Sequence, residues 1–154
     1  MGMEVVELGK KHSADIEELL RKVWLSAEKY PKKWREKRTL SKEAVEREMD
    51  EGCHYFGVWI DGKLAGIYKF IETEKGLLGE QQSVDRDYGR TGVASKMYEH
   101  FTREAAKRGI PAYVNILIKD DAGLKMVNKY GFLKKGDKYQ QIKGMWVQMF
   151  EKCN

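Results

Sequence analysis

Residues 77–108 carry an apolar strand pattern, a glycine-rich turn and an amphipathic helix pattern in direct succession. The turn reads Gly89-Arg90-Thr91-Gly92-Val93-Ala94, and apolar residues then recur every four positions from Val93 to Ala105. Such a turn leaves backbone N–H groups without partners and directs them, with the positive end of the helix dipole, at one point. The sequence therefore predicts an anion site, with phosphate as the favoured ligand, where this helix begins.

Two common phosphate-binding motifs do not fit this spacing. In a Walker loop the lysine follows the last glycine directly, whereas Lys96 lies four residues after Gly92. The dinucleotide fingerprint needs Gly-x-Gly-x-x-Gly after the first strand, whereas this turn follows several predicted strands. The spacing excludes both the P-loop and the Rossmann interpretations.

The other hydrophobic patterns predict a mixed α/β fold. Strands are predicted, in order, at Met3–Leu8, Tyr55–Ile60, Leu64–Ile71, Leu77–Val84, Ala112–Ile118, Leu133–Ile142 and Met145–Phe150. Helices are predicted after Ser13 and Ser41 as N-caps, over 92–108, and from Asp120 or Asp121 to Gly131. Asp61-Gly62 suits a type I′ hairpin turn, and residues 32–38 form a basic connector after Pro31. Neighbouring strands around a central β-α-β crossover give a mixed sheet.

Length and composition favour one soluble domain over residues 1–154. No apolar run approaches the roughly 20 residues of a membrane span, and the N-terminus lacks a signal-peptide pattern. Cys53 and Cys153 lack metal-ligand spacing, so we expect a reduced, cytoplasmic protein without a metal. The net charge of +5 suits a polyanionic ligand, but it is less concentrated than in most nucleic-acid-binding proteins.

The segment Val84–Met97 resembles the coenzyme-A-binding motif of the GNAT superfamily of N-acyltransferases, Gln/Arg-x-x-Gly-x-Gly/Ala after a strand that ends in valine. The element order and the Tyr130-Gly131-Phe132 sequence after the last helix extend the resemblance to the whole chain. It implies a mixed, mostly antiparallel sheet of six to seven strands, flanked by about four helices. A splay is implied between strands 4 and 5.

The resemblance also implies acetyl-CoA as the cofactor. Ser83 and Val84 would offer backbone groups to the pantetheine arm, and the pyrophosphate would lie against Gly89, Arg90, Thr91, Gly92, Val93 and Ala94. An ordinary strand-to-helix turn is the alternative, although it would not need two glycines around Arg90-Thr91. Gly89 departs from the family's usual Gln or Arg, and Arg90 could supply that charge.

Acetyl transfer to an amine requires a base, because an ammonium group has no lone pair. Glu80 is the predicted base, and strand alternation would place it on one face with Gln82 and Val84. A solvated glutamate at a strand edge is the alternative, and His54 and His100 are weaker candidates. Val127 stands where many family members carry the tyrosine that protonates the leaving thiolate, and Asp120 replaces a frequent asparagine.

The implied function is an N-acetyltransferase that moves an acetyl group to a primary amine of a small molecule or peptide, by direct attack in a ternary complex. Trp24, Tyr30, Trp34 and the basic connector could form an acceptor pocket, although a core Trp24 beside a solvated loop is the simpler interpretation. Val127 and Gly89 motivate a non-catalytic acyl-CoA-binding module as the alternative. Nucleic-acid binding is a third hypothesis, and family dimers often form through the last strands.

Overall fold

The computed structural model describes residues 3–154, which form a seven-stranded sheet with the strand order β1-β2-β3-β4-β5-β7-β6. The strands are β1 (Val5–Leu8), β2 (His54–Ile60), β3 (Lys63–Thr73), β4 (Gly76–Val84), β5 (Ala112–Leu117), β6 (Leu133–Ile142) and β7 (Met145–Lys152). The helices are α1 (Ser13–Trp24), α2 (Lys32–Arg38), α3 (Lys42–Asp50), α4 (Val93–Arg108) and α5 (Asp121–Lys129). This confirms the predicted fold class.

The pairing of the strands confirms the predicted splay. β1 with β2, β2 with β3, β5 with β7 and β6 with β7 are antiparallel. β4 and β5 are parallel, and their pairs run only from Leu77–Ala112 to Gly79–Val114. Since β4 continues to Val84 and β5 to Leu117, the two strands separate beyond this point.

The chain divides into two compact units. The first contains the residues up to Phe70 together with Gln81–Met97, and the second contains Ile71–Glu80 together with Tyr98–Asn154. Strands β3 and β4 and helix α4 contribute residues to both units. The expectation of one domain over the whole chain stays a prediction.

In the first unit, α1 and α3 bury apolar residues in one core with β1, β2 and β3. Its fully buried members include Ile16 and Leu20 of α1, Val45 of α3, and Tyr55 and Ile67 of the sheet. These positions on α1 are four residues apart, as expected for one buried helix face.

Two details of the predicted helices are corrected. Ser13 is the first residue of α1 and not its N-cap, because a 3-10 turn at Lys10–His12 leads directly into the helix. The Ser13 hydroxyl instead donates to Glu46 Oε2 at 2.5 Å. The basic connector is helix α2, since Trp34 on it is buried and fixes this segment by packing. The predicted cap at Ser41 is confirmed, because its Oγ accepts the Ala44 N–H at 3.1 Å.

In the second unit, Phe101 of α4 lies directly over Gly79 of β4. A Cβ built on Gly79 would lie 2.7 Å from the Phe101 ring, so only glycine allows this close approach. Within residues 3–154, no helix is both long and apolar enough to span a membrane, and no group of three or more acidic, histidine or cysteine side chains could hold a metal ion.

Candidate active site

The predicted anion site is a loop between β4 and α4 that begins at Asp85. The Asp85 carboxylate accepts the Asp87 N–H at 2.9 Å and thereby starts a 3-10 turn over Arg86–Tyr88. The Thr91 hydroxyl then donates to the carbonyl oxygen of Tyr88 at 2.5 Å. Arg90 and Gly92 have φ angles of +64° and +92°. The chain thus makes a tight left-handed turn immediately before α4.

The first turn of α4 begins with backbone N–H groups that an α-helix cannot pair internally. The Lys96 N–H donates to the Gly92 carbonyl oxygen at 3.0 Å, which closes the first helical turn. Gly92 has no side chain that could accept the N–H groups of Val93 and Ala94, and these have no acceptor inside the helix. Arg90 beside them is exposed. Together the helix dipole, the amides and this cation suit an anion.

Lys22 of α1 binds the first residues of this loop by two ion pairs. Its Nζ lies 2.8 Å from both Asp85 Oδ2 and Asp87 Oδ2. Burial alone would raise the pKa of the Asp85 carboxyl, but hydrogen bonds from Lys22 and the Asp87 N–H outweigh it, so this pKa is lowered. The hydrogen bonds to Asp85 and Asp87 raise the pKa of Lys22. Sequence reasoning missed Lys22, because nothing in a basic helix residue points to a partner 63 positions away.

The end of β4 departs from regular alternation. Gln81 has a φ of +59°, so the argument that placed Glu80, Gln82 and Val84 on one face does not hold across this residue. Ser83 is buried, and its hydroxyl donates to the Gln81 carbonyl oxygen and accepts the Trp24 Nε1–H, both at 2.9 Å. Its only hydroxyl proton is thus donated within the protein, and the predicted pantetheine contact is one of backbone groups.

The aromatic residues expected near the acceptor form one cluster in the first unit. Trp34 is 3% exposed and packs edge-on against Trp24 with ring centroids 5.4 Å apart, while the Tyr30 ring lies 4.6 Å away. The Arg38 guanidinium lies 4.3 Å from the centre of the Trp34 ring. Trp34 is buried, while Trp24 is partly buried and packs against the hydrophobic core of the first unit. The Gln81 side-chain amide donates to the Arg38 carbonyl oxygen at 2.5 Å, which joins this cluster to β4.

The candidate bases lie in different surroundings. Glu80 is exposed on β4 in the second unit. Burial raises the pKa of Tyr139 on β6, and the charge of Glu80 contributes in the same direction. His54 lies at the start of β2 with its Nδ1 2.8 Å from Glu7 Oε2, and His100 lies in the middle of α4.

Residues 14–132 match the family model described as the acetyltransferase (GNAT) family. The chain belongs to the GNAT family. No functionally curated protein matches the sequence.

Solved GNAT structures share this fold at low sequence identity. PaiA N-acetyltransferase from Thermoplasma acidophilum, crystallised with coenzyme A, has a TM-score of 0.81 and 17% identity, with 100% of both chains covered. The ribosomal-protein-S18-alanine N-acetyltransferase from Escherichia coli has a TM-score of 0.76 and 16% identity, with coverage of 97% of this chain and 92% of that one. A GNAT acetyltransferase from Streptococcus pneumoniae has a TM-score of 0.78 and 17% identity, with 98% of both chains covered.

Acetyl-CoA is the usual acyl donor of the GNAT family, which agrees with the predicted cofactor. The loop of this chain fits a pyrophosphate by the chemistry of its donors: the Val93 and Ala94 amides, which have no acceptor inside the helix, the exposed Arg90 cation, and glycine at position 92. Its individual contacts stay predictions.

The position of the family's frequent acid is filled by an apolar core residue. Val127 of α5 is fully buried, and it has no proton to give. Tyr130 stacks on Tyr98 with ring centroids 5.7 Å apart, and burial raises the pKa of Tyr98 above its ordinary value. These tyrosines pack against each other next to Phe132, as expected for core aromatics.

Proposed function

We propose that this GNAT protein is an acetyl-CoA-dependent N-acetyltransferase that acts on a primary amine of a small molecule or peptide. The observation that carries the proposal is the left-handed turn at Arg90 and Gly92 directly before the N-terminus of α4, within a GNAT fold. One structural neighbour is the ribosomal-protein-S18-alanine N-acetyltransferase, which supports a peptide amine as one class of acceptor.

In this proposal the end of β4 and the loop after it have separate roles. The residues Gly89 to Ala94 hold the pyrophosphate, and Ser83 and Val84 offer backbone groups to the pantetheine arm. Bound acetyl-CoA would supply an acetyl thioester: the C–N bond to the amine would form as the C–S bond breaks, and CoA would leave as a thiolate that takes a proton from water. Glu80 accepts the proton that the amine nitrogen loses, directly or through water. No cysteine of the sequence is near the predicted thioester position, so we propose direct transfer rather than an acyl-enzyme.

The role of Glu80 is tested by the substitution Glu80→Gln, which keeps the shape and removes the base. We expect kcat for the best amine to fall by about 10²- to 10⁴-fold, while CoA-dependent thermal stabilisation is unchanged. Release of the CoA thiol across a panel of small amines and peptides measures this. Glu74→Gln, at an exposed turn residue, is the matched control. Full activity of Glu80→Gln would remove Glu80 from the role of base.

A non-catalytic acyl-CoA-binding module is the second candidate function, and the buried Val127 is the observation that favours it. It predicts stabilisation of the wild-type protein by CoA without turnover of any amine in the panel. Because free thiols ionise at moderate pH, the absence of an acid at Val127 does not by itself prevent release of CoA. Measurable turnover in the thiol-release assay would contradict this second function.

A further inference from the structure

Asn115 of β5 has a buried side-chain oxygen, Oδ1, without a hydrogen-bond partner among residues 3–154. Buried polar atoms are nearly always paired in folded proteins, because an unpaired one loses its hydration without compensation. An unpaired acceptor oxygen in a strand of the sheet can therefore accept a hydrogen bond from a bound ligand.

The register of the sheet places Asn115 at the start of the splay. The last β4–β5 pair joins Gly79 to Val114, and Asn115 is the next residue on β5. Glu80 is the next residue on β4. On its other side β5 remains paired, with Asn115 opposite Met149 of β7. Asn115 is thus anchored by β7 while the edge toward β4 opens.

The side chains of Glu80 and Asn115 leave the sheet on the same face. Neighbours in parallel strands point to the same side, and successive residues alternate. The Cβ direction of Gly79 meets the Phe101 ring of α4, so Gly79 and its partner Val114 face α4. Glu80 and Asn115, one position further on each strand, face away from α4. A carboxylate and an unpaired carbonyl oxygen therefore point to the same face, each one position beyond the last β4–β5 pair.

Both groups accept hydrogen bonds, and together they fit a group that carries at least two N–H bonds. We propose that Asn115 binds the acceptor amine. One N–H of the amine donates a hydrogen bond to Asn115 Oδ1, and the other points to Glu80, which removes its proton. This rests on the proposed function. A neutral primary amine offers two N–H bonds and a secondary amine offers one, so the pair selects primary amines. Asn115 is then a substrate-binding residue that also sets specificity.

The test compares Asn115→Leu, which keeps the size and removes the polar atoms, with Asn115→Asp, which keeps acceptor oxygens. For Asn115→Leu we expect the KM of the best primary amine to rise about tenfold or more, and the preference over its N-methyl derivative to shrink. The KM of acetyl-CoA and the CoA-dependent shift in Tm should not change. Asn115→Asp should bind the amine more tightly than Asn115→Leu. Asn128→Leu, at an exposed position of α5, is the control.

A second readout separates this inference from the proposed function. Because Asn115→Leu removes an unpaired buried oxygen, the Tm of the free protein should stay equal or rise. An unchanged amine KM in Asn115→Leu, or a lowered Tm with loss of the CoA-dependent shift, would overturn the inference. If the wild-type protein acetylates no amine, the proposed function fails. In that case the side-chain amide resonance of Asn115 is followed by NMR while the panel amines are added to the CoA complex, and an unmoved resonance overturns the binding role as well.

Discussion

At the residue scale, Gly66 of β3 determines how closely the start of α4 approaches the sheet. A Cβ on Gly66 would lie 2.6 Å from Val93 Cγ1 and 3.3 Å from both the Ser83 carbonyl oxygen and Met97 Cε. Real side-chain atoms do not approach to 2.6 Å, so only glycine permits this contact. Because Val93 opens α4, Gly66 indirectly sets the position of the N–H groups that are proposed to hold the pyrophosphate.

We expect Gly66→Ala to lower the free energy of unfolding by about 1–3 kcal/mol, since the short, branched Val93 side chain cannot move aside. Urea denaturation monitored by tryptophan fluorescence measures this. Gly9→Ala is the control, because a Cβ there meets nothing within 4 Å and the φ of −106° is accessible to any residue. Equal midpoints for the two variants would contradict the steric argument.

At the element scale, the C-terminal end of α1 and the residues after it hold the loop between β4 and α4. Lys22 holds the carboxylates of Asp85 and Asp87, and the Ser26 hydroxyl accepts a hydrogen bond from Arg86 at 2.8 Å. A loop held at its first residues loses little further conformational freedom when a ligand binds. If the loop binds CoA as proposed, α1 contributes to the affinity although none of its residues lies in the loop.

We expect Lys22→Met to raise the Kd of CoA about two- to fivefold, as measured by calorimetry, while Lys11→Met at an exposed position has no effect.

The pH dependence of the stability that these ion pairs contribute follows from the directions of the two pKa shifts. The pKa of Asp85 lies below its ordinary value of 3.8, so its stabilisation is present above that pH and is lost as pH falls through the lowered pKa. The pKa of Lys22 lies above 10.5, so its stabilisation is present below that pH and is lost as pH rises through the raised pKa.

The difference in stability between wild type and Lys22→Met should therefore be largest between about pH 5 and pH 9 and shrink toward both extremes. Urea unfolding at a series of pH values measures it. A difference that stays constant down to about pH 2 would show that the ion pair does not contribute.

At the scale of the whole molecule, CoA should stabilise the folded chain by mass action. With free CoA at 100 times its Kd, the gain is about 2.7 kcal/mol. We expect Gly92→Ala to lose most of the CoA-dependent rise in Tm, because Gly92 has a φ of +92° and alanine would distort the turn before α4. Gly109→Ala is the control for backbone strain, because Gly109 follows the same helix and also has a positive φ, of +67°. This variant should show the full CoA-dependent rise in Tm. A full CoA response in Gly92→Ala would contradict the assignment of the loop.

Local signals in the sequence predicted most of the fold. The bounds of β6 are those of the predicted strand, and those of the other strands differ by a few residues. Asp61 and Gly62 have the positive φ angles expected for the predicted hairpin turn. Such features depend on residues next to each other in the chain, and so periodicity and turn chemistry are sufficient to find them.

The sequence by itself determined the family, the element order and the glycine turn before α4, because each of these depends on residues that are close together in the chain. Only the tertiary structure decided that Lys22 holds the loop, that Gln81 interrupts the alternation of β4, and that Asn115 follows the last β4–β5 pair. These depend on which distant segments become neighbours and where two strands stop pairing. The spacing of residues along the chain does not show which distant segments become neighbours or where strand pairing ends, since the packing of the sheet and its helices sets both.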